Sequence, residues 1–92
     1  MSQRVQRELT VINKLGLHAR AAARLVTLAA SFAADIRLAR GDREVNGKSI
    51  MGVLMLAAGQ GSRVELRAEG ADAAEAVAEI QALFDNRFGE EA

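Results

Sequence analysis

The chain of 92 residues contains no cysteine, no proline, no tryptophan and no tyrosine, and it has a single histidine. The missing cysteine excludes disulfides and thiolate metal sites. One histidine by itself is too little for a zinc site, which takes about three or four protein ligands. The missing proline excludes cis-proline steps in folding. We therefore expect neither a metal nor a cofactor.

Neither sign of charge is in excess, because 12 basic residues balance 12 acidic ones. This balance argues against electrostatic binding to nucleic acid or to an anionic membrane. No apolar run is long enough to span a bilayer, and residues 1–7 lack the apolar core of a signal peptide. We therefore expect a cytoplasmic protein that binds neither nucleic acid nor a membrane.

The spacing of apolar residues predicts one α+β domain over residues 1–92. Four segments alternate apolar with polar residues as strands do, near 5–11, 36–38, 43–45 and 64–68. Three segments have helical spacing, at 19–32, 49–58 and 73–84. Because each strand has only one apolar face, the order β-α-β-β-α-β-α predicts an open-faced sandwich, a four-stranded antiparallel sheet with three helices on one face. We expect residues 89–92 to be frayed.

The most informative segment is 16–20, Gly-Leu-His-Ala-Arg, which lies at the start of the first predicted helix. The first turn of a helix has unpaired N–H groups and partial positive charge, and together these bind anions. Gly16 permits a tight turn before the helix. A phosphoryl group on one ring nitrogen of His18 would meet the backbone N–H groups of Ala19 and Arg20 and the guanidinium of Arg20. The segment therefore fits a histidine that carries a phosphoryl group.

Other roles for His18 have to be weighed against this one. A lone histidine at such a position is more often a helix cap or a surface residue. Metal ligation is a poor alternative without further ligands. A hydrolytic nucleophile–base pair has little support, because no serine has a spacing that ties it to His18. From these residues alone, a role of His18 as a helix cap and a role as a phosphoryl carrier both stay open.

Two motifs carry a resemblance to a known family. Residues 13–22, Asn-Lys-Leu-Gly-Leu-His-Ala-Arg-Ala-Ala, resemble the active-site signature of the HPr family, the histidine-containing phosphocarriers of the bacterial phosphotransferase system. Residues 46–53, Asn-Gly-Lys-Ser-Ile-Met-Gly-Val, resemble the regulatory-serine segment of that family. The length and the order of elements match as well. The family usually has proline where this chain has Ala21, a helix position that tolerates proline without requiring it.

The resemblance implies a stoichiometric phosphocarrier rather than an enzyme. Phosphorylated enzyme I, with phosphoenolpyruvate as the ultimate donor, would phosphorylate His18 at Nδ1, and His18 would pass the group to an enzyme IIA. Arg20 and the N–H groups of Ala19 and Arg20 would hold the phosphoryl charge, with Gly16 ahead of them. We expect a monomer. The resemblance fits the sugar-transport branch and the nitrogen-regulation (NPr) branch equally.

Ser49 begins the second predicted helix, where serine is a favoured N-cap. The resemblance implies that an HPr kinase/phosphorylase phosphorylates this serine in some family members and thereby regulates docking. An alternative function follows from the same fold. The protein would then be a regulatory effector or binding module that acts by phosphorylation-dependent partner binding.

The second predicted helix is too apolar to be half exposed without a partner. We expect Val53 and Leu56 to pack inward. Three residues near its start would form a docking patch, and the resemblance implies that enzyme I and enzyme IIA bind it: Ile50, Met51 and Leu54. Arg24, one turn beyond Arg20, would either join the basic rim around His18 and help in docking or be a solvated surface charge.

Overall fold

The computed structural model describes residues 2–92. Its strands are β1 Gln3–Thr10, β2 Asp35–Arg40, β3 Arg43–Asn46 and β4 Arg63–Gly70. Its helices are α1 Ala19–Ala30, α2 Ile50–Met55 and α3 Ala73–Asp85, followed by a short 3₁₀ turn at Arg87–Gly89. The predicted order of strands and helices is confirmed, and the 3₁₀ turn is an addition. Within the described residues, no helix is both long and apolar enough to cross a membrane.

The four strands form one antiparallel sheet in the order β1-β4-β2-β3, so β1 and β3 are its edges. In β4, Val64, Leu66 and Ala68 are buried beneath the helices, whereas the side chains between them are more exposed. This alternation is what a sheet with one covered face requires. The predicted open-faced sandwich is therefore confirmed.

The core between the sheet and the helices consists mainly of small and aliphatic side chains. On α1, Ala21, Ala22 and Leu25 are completely buried. Val53 and Leu56 pack inward from α2, as predicted. Small side chains on α1 let the helix approach its neighbours closely, which fixes the position of its first turn in the molecule.

The C-terminal tail folds back onto the core. Arg87 and Phe88 have positive φ angles of 55° and 54°, and Gly89 follows at 79°. Left-handed backbone costs a non-glycine residue about 1–2 kcal/mol. The ring of Phe88 is fully buried, with its centroid 4.8 Å from that of Phe84, and this burial offsets the backbone cost. The N–H groups of Gly89 and Glu90 donate to the carbonyl oxygens of Asn86 and Arg87, both at 2.9 Å, so the expectation that residues 89–92 are frayed is wrong for these first two residues.

Candidate functional site

The loop between β1 and α1 fixes the backbone just ahead of His18. Gly16 has φ +70°, and a Cβ at this position would lie 2.6 Å from the carbonyl oxygen of Ala58 and 2.7 Å from Cα of Gly59. The N–H of Leu17 donates to the same carbonyl oxygen at 2.9 Å. The left-handed backbone and the close approach both require glycine here.

His18 is the N-cap of α1. Its backbone is extended, and its Nδ1 accepts a hydrogen bond from the N–H of Arg20 at 3.2 Å. The N–H of Ala22 donates to the His18 carbonyl oxygen at 2.8 Å. The side chain keeps 28% of its surface exposed. Nδ1 therefore lies at the first turn of α1, where the free N–H groups and the helix dipole favour an anion.

The other ring nitrogen of His18 contacts the tail. Nε2 lies against Oε2 of Glu90, whose side chain is only 13% exposed. Asn13, which is fully buried, donates from Nδ2 to Oε1 of Glu90 at 2.9 Å and to the carbonyl oxygen of Gly16 at 2.8 Å. The hydrogen bonds from Asn13 and from His18 hold the pKa of the Glu90 carboxyl below its usual value. Glu90 is therefore a carboxylate at neutral pH.

Sequence reasoning missed both Asn13 and Glu90 as site residues. Asn13 lies within the signature segment but reads as a loop residue, and Glu90 falls in the tail that was expected to be frayed. One signal pointed to a packed tail. Phe88 lies four residues after Phe84 and so continues the apolar face of α3, and the glycine that follows is a common residue just past a helix end.

The two arginines of α1 have different surroundings. Arg20, the second residue of the helix, is exposed beside the ring. Arg24 donates from Nη1 to the carbonyl oxygen of Phe88, and a Cβ at Gly89 would lie 2.7 Å from the same nitrogen. Arg24 therefore holds the tail against α1, a contact that neither sequence-based role anticipated.

Ser49 is the N-cap of α2. Its Oγ accepts a hydrogen bond from the N–H of Gly52 at 3.1 Å, and its carbonyl oxygen accepts one from the N–H of Val53 at 2.9 Å. The residue is half-buried. The predicted cap is confirmed.

The surface of α2 is apolar over three exposed side chains, which we call the α2 patch: Ile50, Met51 and Met55. Met51 is 67% exposed and Met55 57%. Leu54, which was expected in the patch, is half-buried and packs against the core, whereas Met55 was not expected there. In the loop before His18, Leu15 is also 67% exposed. The structure thus leaves apolar side chains open on α2 and on the loop that carries the site.

The fold and the site together define a small open-faced sandwich that presents one histidine at a helix N-terminus. The family described as "PTS HPr component phosphorylation site" matches residues 5–86. A match over most of the chain shows that this chain belongs to the HPr family of the phosphotransferase system.

Relatives of known name agree with this membership. The phosphocarrier protein HPr of Cupriavidus necator is 55% identical over 86 residues, which are 94% of this chain and 97% of that protein. The phosphocarrier protein NPr of Shewanella violacea is 42% identical over 87 residues, 95% of this chain and 96% of the relative. The crystal structure of HPr from Thermoanaerobacter tengcongensis superimposes with a TM-score of 0.92 at 41% identity, covering 96% of this chain and 99% of that one.

Proposed function

We propose that the chain accepts a phosphoryl group on Nδ1 of His18 from phosphorylated enzyme I, with phosphoenolpyruvate as the ultimate donor, and passes it to an enzyme IIA. The observation that carries this proposal is the position of Nδ1. In a member of a phosphocarrier family, it lies at the N-terminus of α1, within 3.2 Å of the Arg20 backbone nitrogen. Capping the helix and carrying the phosphoryl group are compatible roles, because the Arg20 N–H that donates to Nδ1 could donate to a phosphoryl oxygen once the lone pair of Nδ1 has bonded to phosphorus.

The residues around Nδ1 supply charge stabilisation for the transfer. The N–H groups of Ala19 and Arg20 would bond the phosphoryl oxygens, and the Arg20 guanidinium would add a full positive charge. Gly16 contributes by letting the preceding loop turn close to the helix start. Phosphoryl transfer needs mainly positioning and charge stabilisation, so a small rigid carrier suffices.

The α2 patch is the proposed docking surface for enzyme I and enzyme IIA. Exposed methionines adapt to more than one partner surface, which suits a carrier that has to bind a donor and then an acceptor. Leu15 would extend the contact on the site loop. Arg24 would act in docking only indirectly, through the tail that it holds.

Ser49 is the proposed site of regulatory phosphorylation by an HPr kinase/phosphorylase. Its hydroxyl lies at the start of α2, next to Ile50 and Met51. A phosphate there would place about −1.5 to −2 charges beside the α2 patch, and this would weaken docking while leaving the fold intact.

The test of the carrier function is phosphorylation of the purified chain by enzyme I and labelled phosphoenolpyruvate. We expect the wild type to take up acid-labile label and His18→Ala to take up none. Ser49→Ala is the matched control, since it removes the other proposed phosphorylation site and should label as the wild type does. Label retained by the alanine variant at His18 would refute the proposal.

A further inference from the structure

The contact between the tail and the ring points to a role for Glu90 in the transfer itself. We propose that Glu90 is a positioning residue for His18, whose carboxylate holds the ring proton on Nε2 and balances the positive charge that the ring gains when Nδ1 is phosphorylated. This inference rests on the proposed phosphocarrier function.

The hydrogen bonds of the ring select one tautomer. Nδ1 accepts from the N–H of Arg20, so it carries a lone pair. Nε2 faces a carboxylate, which can only accept, so Nε2 carries the proton. Both contacts therefore favour the tautomer in which Nδ1 is the nucleophile. A carboxylate that receives a histidine N–H in this way also fixes the orientation of the ring.

The charge balance of the transfer gives the carboxylate a second task. The lone pair of Nδ1 forms the new bond to phosphorus, while the bond from phosphorus to the donor breaks and its electron pair stays with the donor. The His18 ring then carries a positive charge and keeps its proton on Nε2. Glu90 is already ionised beside that proton, in a site where its side chain is only 13% exposed. The attraction therefore increases as the new bond forms, which favours transfer to His18.

The tail is built to hold this carboxylate in place. Phe88 anchors the tail in the core, and Arg24 binds its carbonyl oxygen. Buried Asn13 orients the other oxygen of the Glu90 carboxylate. Two non-glycine residues, Arg87 and Phe88, adopt left-handed backbone to bring the chain round. Strained backbone of this kind persists where surrounding contacts enforce it, often at functional sites.

The experiment compares the wild type with Glu90→Gln and Glu91→Gln. Each variant removes one carboxylate from the tail, but Glu91 is exposed. Two quantities are measured: the rate of phosphoryl uptake from phosphorylated enzyme I, and the NMR signals of the His18 ring nitrogens and the Nε2 proton. We expect Glu90→Gln to take up the group about tenfold more slowly, which is the order of effect for a group that orients a reactive ligand. Its Nε2 proton signal should move upfield, while Glu91→Gln keeps the wild-type rate and spectrum.

The two measurements separate this inference from the function on which it rests. Equal uptake rates for Glu90→Gln and Glu91→Gln, or an Nε2 proton signal that is the same in both, would overturn the role of Glu90. A wild type that takes up no phosphoryl group would instead refute the carrier function, and the ring spectra would still show whether Glu90 binds Nε2. A denaturation curve for each variant shows that the slower uptake does not come from unfolding.

Discussion

Two carboxylates from distant parts of the chain bind near α1, one at the start of the helix and one in the loop that follows it. At the start, Glu90 contacts the ring of His18. In the loop after α1, the N–H groups of Ala33 at 2.9 Å and Ala34 at 2.8 Å donate to the carboxylate of Asp72. These backbone hydrogen bonds, led by that of Ala33, lower the pKa of the Asp72 carboxyl, and the pKa of Glu90 is lowered as well. The two carboxyl groups thus share the direction of their pKa shift in unlike surroundings.

What differs is the chemistry of the group that each carboxylate binds. Asp72 binds backbone N–H groups, which cannot react, and so joins the loop after α1 to the start of α3. Glu90 binds an imidazole whose other nitrogen has a lone pair and whose surface is partly exposed. A shifted pKa marks a candidate site only together with such a partner. The comparison therefore separates a carboxylate that stabilises a loop from one that serves a reactive group.

The largest expected effect comes from Phe88→Ala, which removes the anchor of Glu90 and leaves the contacts of Asp72 with the loop after α1 unchanged. Truncating a buried aromatic side chain costs about 3–5 kcal/mol of the free energy of unfolding. Chemical denaturation measures this loss, and Phe88→Leu, which keeps an apolar side chain in place, should lose clearly less. An alanine variant as stable as the wild type would show that the tail does not pack on the core.

The sequence predicted the strands and helices because each of them carries its own apolar periodicity. Val64, Leu66 and Ala68 mark one face of β4 without any knowledge of what covers it. In the tail, the spacing of Phe88 from Phe84 indicates burial of one ring but not the path of the backbone. Its left-handed turn at Arg87 and Phe88 depends on the burial of Phe88 and on the hydrogen bond from Arg24, because local propensity disfavours left-handed backbone at both residues. Its fold could therefore be known only from the packed structure.

An intermediate effect is expected for Gly16→Ala, which strains the loop ahead of His18. Left-handed backbone and overpacking against Ala58 together would lower the free energy of unfolding by about 2–5 kcal/mol. Gly41→Ala is the matched control, because Gly41 has φ +62° and a Cβ there would meet no atom within 4 Å among residues 2–92. That variant should lose only about 1–2 kcal/mol. Equal losses in denaturation would show that the close approach at Gly16 does not matter.

The part of the candidate site that is contiguous in sequence could be predicted from local patterns, as the strands and helices could. The glycine, the histidine and the arginine of residues 16–20 lie together because they are neighbours at a helix start, so local reasoning placed them correctly. Glu90 lies 72 residues beyond His18 in sequence, and only the folded tail brings the two together.

Residues 50–56 show the same limit of sequence-based prediction on a smaller scale. Their composition predicted an exposed apolar surface, but the exact rotation of α2, which leaves Leu54 half-buried and Met55 exposed, depends on packing.

The smallest expected effect is the acid sensitivity contributed by Asp72 through its hydrogen bonds to the loop after α1. Because its pKa is lowered in the folded state, its contribution to stability is present above the usual carboxyl value of 3.8 and is lost as the pH falls through the folded value. The difference in free energy of unfolding between the wild type and Asp72→Asn should therefore shrink as the pH is lowered below about 4. Asp42→Asn, at an exposed turn, is the matched control for the loss of one carboxylate. Urea denaturation from pH 7 to pH 2 measures both, and a difference for Asp72→Asn that stays constant over this range would contradict the assignment of that carboxylate to the backbone of the loop.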